Sequence, residues 1–222
     1  MAETSAGQPP AISASEEEAL FYHETTLNAA WTGSRLALGA LSFGFGAFIF
    51  AYFYLRSLNT HGMWHPAGLS DPQAWAGAVI MGLIVVSAAT QSVVLQWIKR
   101  GNKSAWLAGA MVAIVLGLGA IGLQVWQLLN LPFFPGSAGY ASVFVGATPV
   151  FMVVVFGAMI WLEILIAKAR RIPSIFFVEQ PPTYAEAFRV QRFQASLSSF
   201  TLVWNYLAII AVLFWVLFYV AA

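Results

Sequence analysis

The sequence has no cysteine. That excludes disulfides, cysteine-ligated iron-sulfur clusters, thiolate copper centres and thiol catalysis, while fixing no redox compartment. Histidine is nearly as scarce: His23, His61 and His65 all lie outside the long apolar runs. A haem held by histidine, or a multi-histidine copper site, is therefore not expected within the membrane part of this chain. Charge is the third shortage. Asp, Glu, Lys and Arg make up 9% of the residues, and Glu163 is the one such side chain away from the ends of five long apolar blocks. Segments that move protons, ions or electrons keep costly charged groups or ligands inside the membrane, so these blocks read as built to pack. A formal net charge of +1 also gives no basic face for nucleic acid.

What is present is hydrophobicity. Apolar residues are 60% of the chain and the mean hydropathy is +0.77, far from the balance of a soluble domain. Crossing about 30 Å of hydrocarbon takes roughly 20 helical residues. Runs of that length predict an all-α integral membrane protein, a bundle of five transmembrane helices near residues 35–57, 74–98, 104–129, 139–167 and 197–221. Residues 35–222 then form one membrane domain, with no room for a separate soluble one.

Residues 1–31 hold Glu3, Glu16, Glu17, Glu18 and Glu24 but no Lys or Arg, unlike a secretory leader. Ala, Ser and Pro in residues 1–15 predict a flexible tail. Residues 16–34 alternate at roughly helical spacing, with Leu20, Leu27 and Trp31 on one face, and predict a segment lying at the membrane interface.

Basic residues in short loops resist translocation and so set orientation. Lys99, Arg100 and Lys103 fall in the second loop, and Lys168, Arg170, Arg171, Arg189 and Arg192 in the fourth; the third, residues 130–138, has none. This predicts a cytoplasmic N-terminus and an outer C-terminus. Lys99, Arg100, Lys103, Arg170 and Arg171 are candidate contacts to anionic lipid headgroups. Arg56 is the discordant outer charge, with Tyr52 and Tyr54 near it to anchor the helix end.

Glu163 lies about one turn from the basic end of the fourth span and is expected to form a buried charge pair with Lys168, a proton-carrying role being the alternative. His61 and His65 are four apart but sit among Gly62, Pro66 and Gly68, a loop composition that argues against a helical metal site. Gly109, Ala113 and Gly117, like Ala40 and Gly44, recur every fourth residue and predict close helix approach, within the chain or against another subunit. Gln91, Gln96, Gln124, Gln127 and Asn205 read as interhelical hydrogen-bonding groups, and Pro149 as a point where the fourth helix bends or loosens.

Several stretches, in order, resemble subunit III of haem-copper terminal oxidases, the family serving cytochrome c oxidase and related quinol oxidases. They are the Phe50-Ala51-Tyr52-Phe53-Tyr54-Leu55-Arg56-Ser57 helix end, Ser87-Ala88-Ala89-Thr90 with Lys99-Arg100-Gly101-Asn102 after it, and Leu116-Gly117 with Gln124 beyond. Tyr140-Ala141-Ser142-Val143-Phe144 with Thr148, and the final span from Trp204-Asn205-Tyr206 to Tyr219, complete the series. The resemblance covers about residues 17–222 and suits the short five-helix bacterial type.

The departures share one direction. Where that family has acids or histidines, this chain has Leu41 or Ser42, Gln127, the apolar run from Val150 to Val155, Asn205 and Ala208. A titratable group is lost each time, so a proton-uptake role is not carried over, whereas a scaffold role is.

The resemblance thus implies a non-catalytic accessory subunit of a respiratory oxidase in the bacterial cytoplasmic membrane. It would bind no cofactor itself and pack on the catalytic subunit I and other oxidase subunits, which hold haem and copper, with membrane lipid as a further partner. An interaction or assembly subunit of another membrane complex, or a small membrane transporter, is the alternative; a transporter would normally show internal repeats and polar midplane groups.

Overall fold

The computed structural model describes residues 14–59, 62, 64, 65, 68, 71–179 and 181–221. Among them the chain is all-helical. The helices are α1 (Ala14–Ser57), α2 (Ala74–Lys99), α3 (Lys103–Leu129), α4 (Gly139–Arg170) and α5 (Tyr184–Trp215), the last running on through a π-turn at Val216–Val220. Five helical stretches are long and apolar enough to cross a membrane. Helix is the form such sequences must take in lipid, because each backbone N–H and C=O finds its partner within the segment.

Polar side chains cap the starts of α3 and α5. The Asn102 side chain accepts from the Ala105 N–H at 3.0 Å. At α5 the Thr183 hydroxyl accepts from the Glu186 N–H, the N-cap half of a capping box, and donates to the Glu186 carboxylate at 2.8 Å. Between α2 and α3 the chain turns at Gly101, where φ is +83°. A Cβ there would also stand 2.6 Å from the Val178 side chain, so both conformation and space call for glycine.

Helix α2 lies along α3 and α5, α3 meets α4 on its other side, and α1 rests against α4 and α5. Small residues set these approaches. Gly109 faces the Val94 side chain, Gly117 faces Met159, and Gly77 faces the ring of Tyr219. Ser87 joins three helices, donating to the Ala113 carbonyl at 2.8 Å and accepting from the Trp204 indole at 3.2 Å. The end opposite the basic second and fourth loops is closed by aromatic side chains: Tyr52, Trp64, Tyr140 and Phe218 meet edge to face. There the Tyr140 hydroxyl donates to the Phe218 carbonyl at 2.7 Å, and the Tyr140 N–H to the Trp64 carbonyl at 2.9 Å, folding the first loop back over the bundle.

Two expectations need revision. Residues 16–34 do not form a separate interfacial element but the start of α1, whose 44 residues would extend about 66 Å at 1.5 Å per residue, twice the hydrocarbon thickness. The fifth helix begins at Tyr184, not near 197, because the polar turn carrying Arg189 and Arg192 is continuous with the apolar part. Helix α4 continues past Pro149, the point expected to bend or loosen it, and the Thr148 hydroxyl there donates to the Phe144 carbonyl at 2.7 Å. The tail expectation falls outside the described residues except for Ala14 and Ser15, which are helical.

Candidate functional site

The N-terminal part of α1, the end of α4 and the first turns of α5 enclose a cavity of about 750 Å³ at the basic end of the bundle. Four cations line it: Lys168, Arg171, Arg189 and Arg192, together with the apolar Ala29, Ala30, Ile172 and Phe193 and the hydroxyls of Thr26 and Ser196. Among the described residues no ion pair reaches any of the four. Arg189 and Arg192 share a face of α5 because they are three residues apart. Four like charges around one space repel one another, and an anion placed there would relieve all of them. Apolar and cationic lining together match an amphiphile with a phosphate headgroup.

The sequence-predicted headgroup residues divide between this cavity and the rest of the surface. Arg171 lines the cavity. Lys99, Arg100 and Arg170 are exposed outside it. Lys103 is half-buried, and its ammonium donates to the Ile172 carbonyl, which ties the α2–α3 turn to the segment after α4 and leaves the side chain less free to meet a headgroup. Arg189 and Arg192 were missed as site residues. With the fifth helix starting near 197 their helical phase is undefined; a start at Thr183, legible in the Thr183-x-x-Glu186 capping pattern, aligns them.

The buried Glu163–Lys168 pair does not form. Glu163 is exposed on the outer surface of α4, and no ion pair joins it to Lys168. The reason is helical geometry: residues five apart are about 140° apart around the axis, whereas pairing needs three or four. Lys168 turns into the cavity and Glu163 turns out.

Polar groups between helices are mostly paired. Gln124 donates to Gln127 at 3.2 Å, Gln127 to the Gln73 carbonyl at 3.1 Å, and the Tyr219 hydroxyl to Gln127 at 2.9 Å, while Ser92 donates to Asn205 at 3.0 Å. Gln91 is an exception, fully buried with no hydrogen bond to its amide among the described residues, and the buried Ser199 hydroxyl and Trp106 indole N–H are likewise without a partner there; Gln96 is exposed. His65 sits 3.1 Å from Asp71 and stacks on Tyr140, while His61 lies outside the described residues. Of the two small-residue rows, Gly109, Ala113 and Gly117 are buried within the bundle, but Gly44 and Gly46 face open space and Ala40 is exposed.

Helix α1 is the least enclosed. In its most apolar stretch 11% of residues are buried, against 50% for α5, and Leu36, Phe43 and Phe50 stand more than two-thirds exposed. No family model matches the chain, and no curated protein is significantly similar to it.

Proposed function

We propose that this chain is a non-catalytic accessory subunit of a respiratory haem-copper oxidase, docking beside the catalytic subunit in the bacterial cytoplasmic membrane. The observation that carries the reading is the outward bareness of α1: apolar, rich in open glycines and barely covered by its own bundle. Open small residues on a membrane helix are the surface another helix can approach closely, where hydrophobic driving force is absent. The resemblance to subunit III supplies the identity of the neighbour. Oxygen reduction by cytochrome c or quinol, with proton pumping, would take place on the haem and copper of partner subunits, and this chain would stabilise them.

The basic cavity adds a second task to the same reading, holding the phosphate headgroup of an anionic lipid between α1, α4 and α5. A small transporter is less favoured, because the groups between helices are few and mostly bound to one another. An interaction subunit of another membrane complex shares every structural argument except the resemblance.

Purification through a tag on this chain in mild detergent tests the proposal. Haem absorbance and oxygen consumption are expected to co-purify. A colourless product, or one that carries a solute across liposomes unaided, would overturn it.

A further inference from the structure

The outer face of α4 is apolar save for one acid. Val153, Phe156, Ile160 and Ile164 recur at helical spacing along it, and Val153 is 72% exposed. Glu163 stands on the same face, beside Ile160 and Ile164. Along the axis it lies five residues, about 7.5 Å, before Lys168, and Trp161, two residues earlier, packs edge to face on Phe200 of α5 with 5.5 Å between ring centres. Arg170 is on this face too, but seven residues further on, about 10 Å along the axis. Trp161 is half-buried and Lys168 lies in the cavity, so no cation of the described residues pairs with Glu163.

A glutamate side chain is shorter than that of lysine or arginine and extends less far toward the headgroups by lying along the helix. An intramembrane carboxylate facing hydrocarbon is costly, and such groups normally face protein and pair there. We propose that the outer face of α4 is the seat of a transmembrane helix from a partner chain, and that this helix presents a lysine or arginine to Glu163. Charge complementarity selects the occupant. The inference rests on the reading of the chain as an accessory subunit, though not on which complex it serves.

The test places the photo-crosslinker p-benzoylphenylalanine in place of Ile160 in the native membrane, with the same group in place of Val115 on the outer face of α3 as comparison. Haem content of the tagged complex is measured alongside. The expected result is a crosslink from position 160 to a peptide from another chain whose membrane helix contains Lys or Arg. Glu163→Lys should lower recovery of that partner at least tenfold, and exchanging the partner's cation for an acid should restore it. Glu163→Gln, which keeps hydrogen bonding, should lower recovery less.

Lipid adducts alone at position 160, capture only of a second copy of this chain, or full partner recovery with Glu163→Lys would each overturn the inference. The two readings fail separately. Haem recovered without a crosslink at 160 removes this docking face and leaves the oxidase subunit standing; a cation-bearing partner captured without haem does the reverse.

Discussion

Gly77 and Gly44 are the same residue type in two membrane helices, yet their surroundings differ completely. A Cβ at Gly77 would lie 2.3 Å from the ring of Tyr219, a stiff side chain whose hydroxyl is held by Gln127; at Gly44 it would meet nothing within 4 Å. Forcing volume into a filled contact typically costs 1 to 3 kcal/mol, so Gly77→Ala is expected to destabilise by about 2 kcal/mol. Gly44→Ala should change stability by less than about 1 kcal/mol, since it adds a methyl to open surface and alters only helix propensity. Thermal unfolding of both variants in detergent checks the difference, and equal midpoints would show that α2 and α5 are not in this contact. Sequence alone does not separate the two glycines. A row of small residues reports that a helix can be approached closely, but not by what, and here one row is filled by its own bundle while the other stays open. The same limit explains Glu163. Its depth near the basic end is legible, and so, from the five-residue interval, is its separation from Lys168; that it faces outward depends on where α1, α3 and α5 pack around α4.

At the scale of elements, sequence patterning located the apolar centres of all five helices and misplaced two of their ends. Hydropathy reports where a helix is in lipid, not where helix begins. The first turns of α5 are polar, carrying Gln191, Arg192 and Gln194, yet they remain helical because the Thr183–Glu186 cap closes the start and Val190 and Phe193 are buried against the bundle. This continuation makes the basic cavity, since it brings Arg189 and Arg192 up to Lys168 and Arg171. Juxtamembrane cations contribute about 1 kcal/mol each toward anionic lipid, roughly fivefold in affinity. Neutralising both with Arg189→Gln and Arg192→Gln should therefore reduce the phosphatidylglycerol retained by the purified protein roughly thirtyfold at saturation-limiting lipid. Lys99→Gln with Arg100→Gln removes equal charge from the same end outside the cavity and should reduce it much less. Native mass spectrometry of the retained lipid measures both, and equal losses would assign the effect to general surface charge.

For the whole molecule, the distribution of charge predicts orientation more strongly than any single residue does. Lys99, Arg100, Lys103, Lys168, Arg170 and Arg171 gather where α2, α3 and α4 start or end, and α5 begins there with Arg189 and Arg192. Tyr52, Trp64 and Tyr140 close the other end, suited to a headgroup boundary with few cations. The absence of cysteine, which excludes thiol chemistry, also makes the chain ready for topology mapping, because any cysteine introduced is the sole reactive thiol. Ser174 and Ser137 are both exposed, one beyond the basic end of α4 and one before its other end. With the basic end in the cytoplasm, Ser137→Cys should react with a membrane-impermeant maleimide in intact cells, whereas Ser174→Cys should react only after lysis. Labelling in the opposite order would invert the orientation and place the cationic cavity in the outer leaflet; labelling of both in intact cells would mean that α4 does not cross. The expected order puts Lys168, Arg171, Arg189 and Arg192 against the cytoplasmic leaflet, whose anionic lipids carry phosphate that would pair with the four cations lining the cavity.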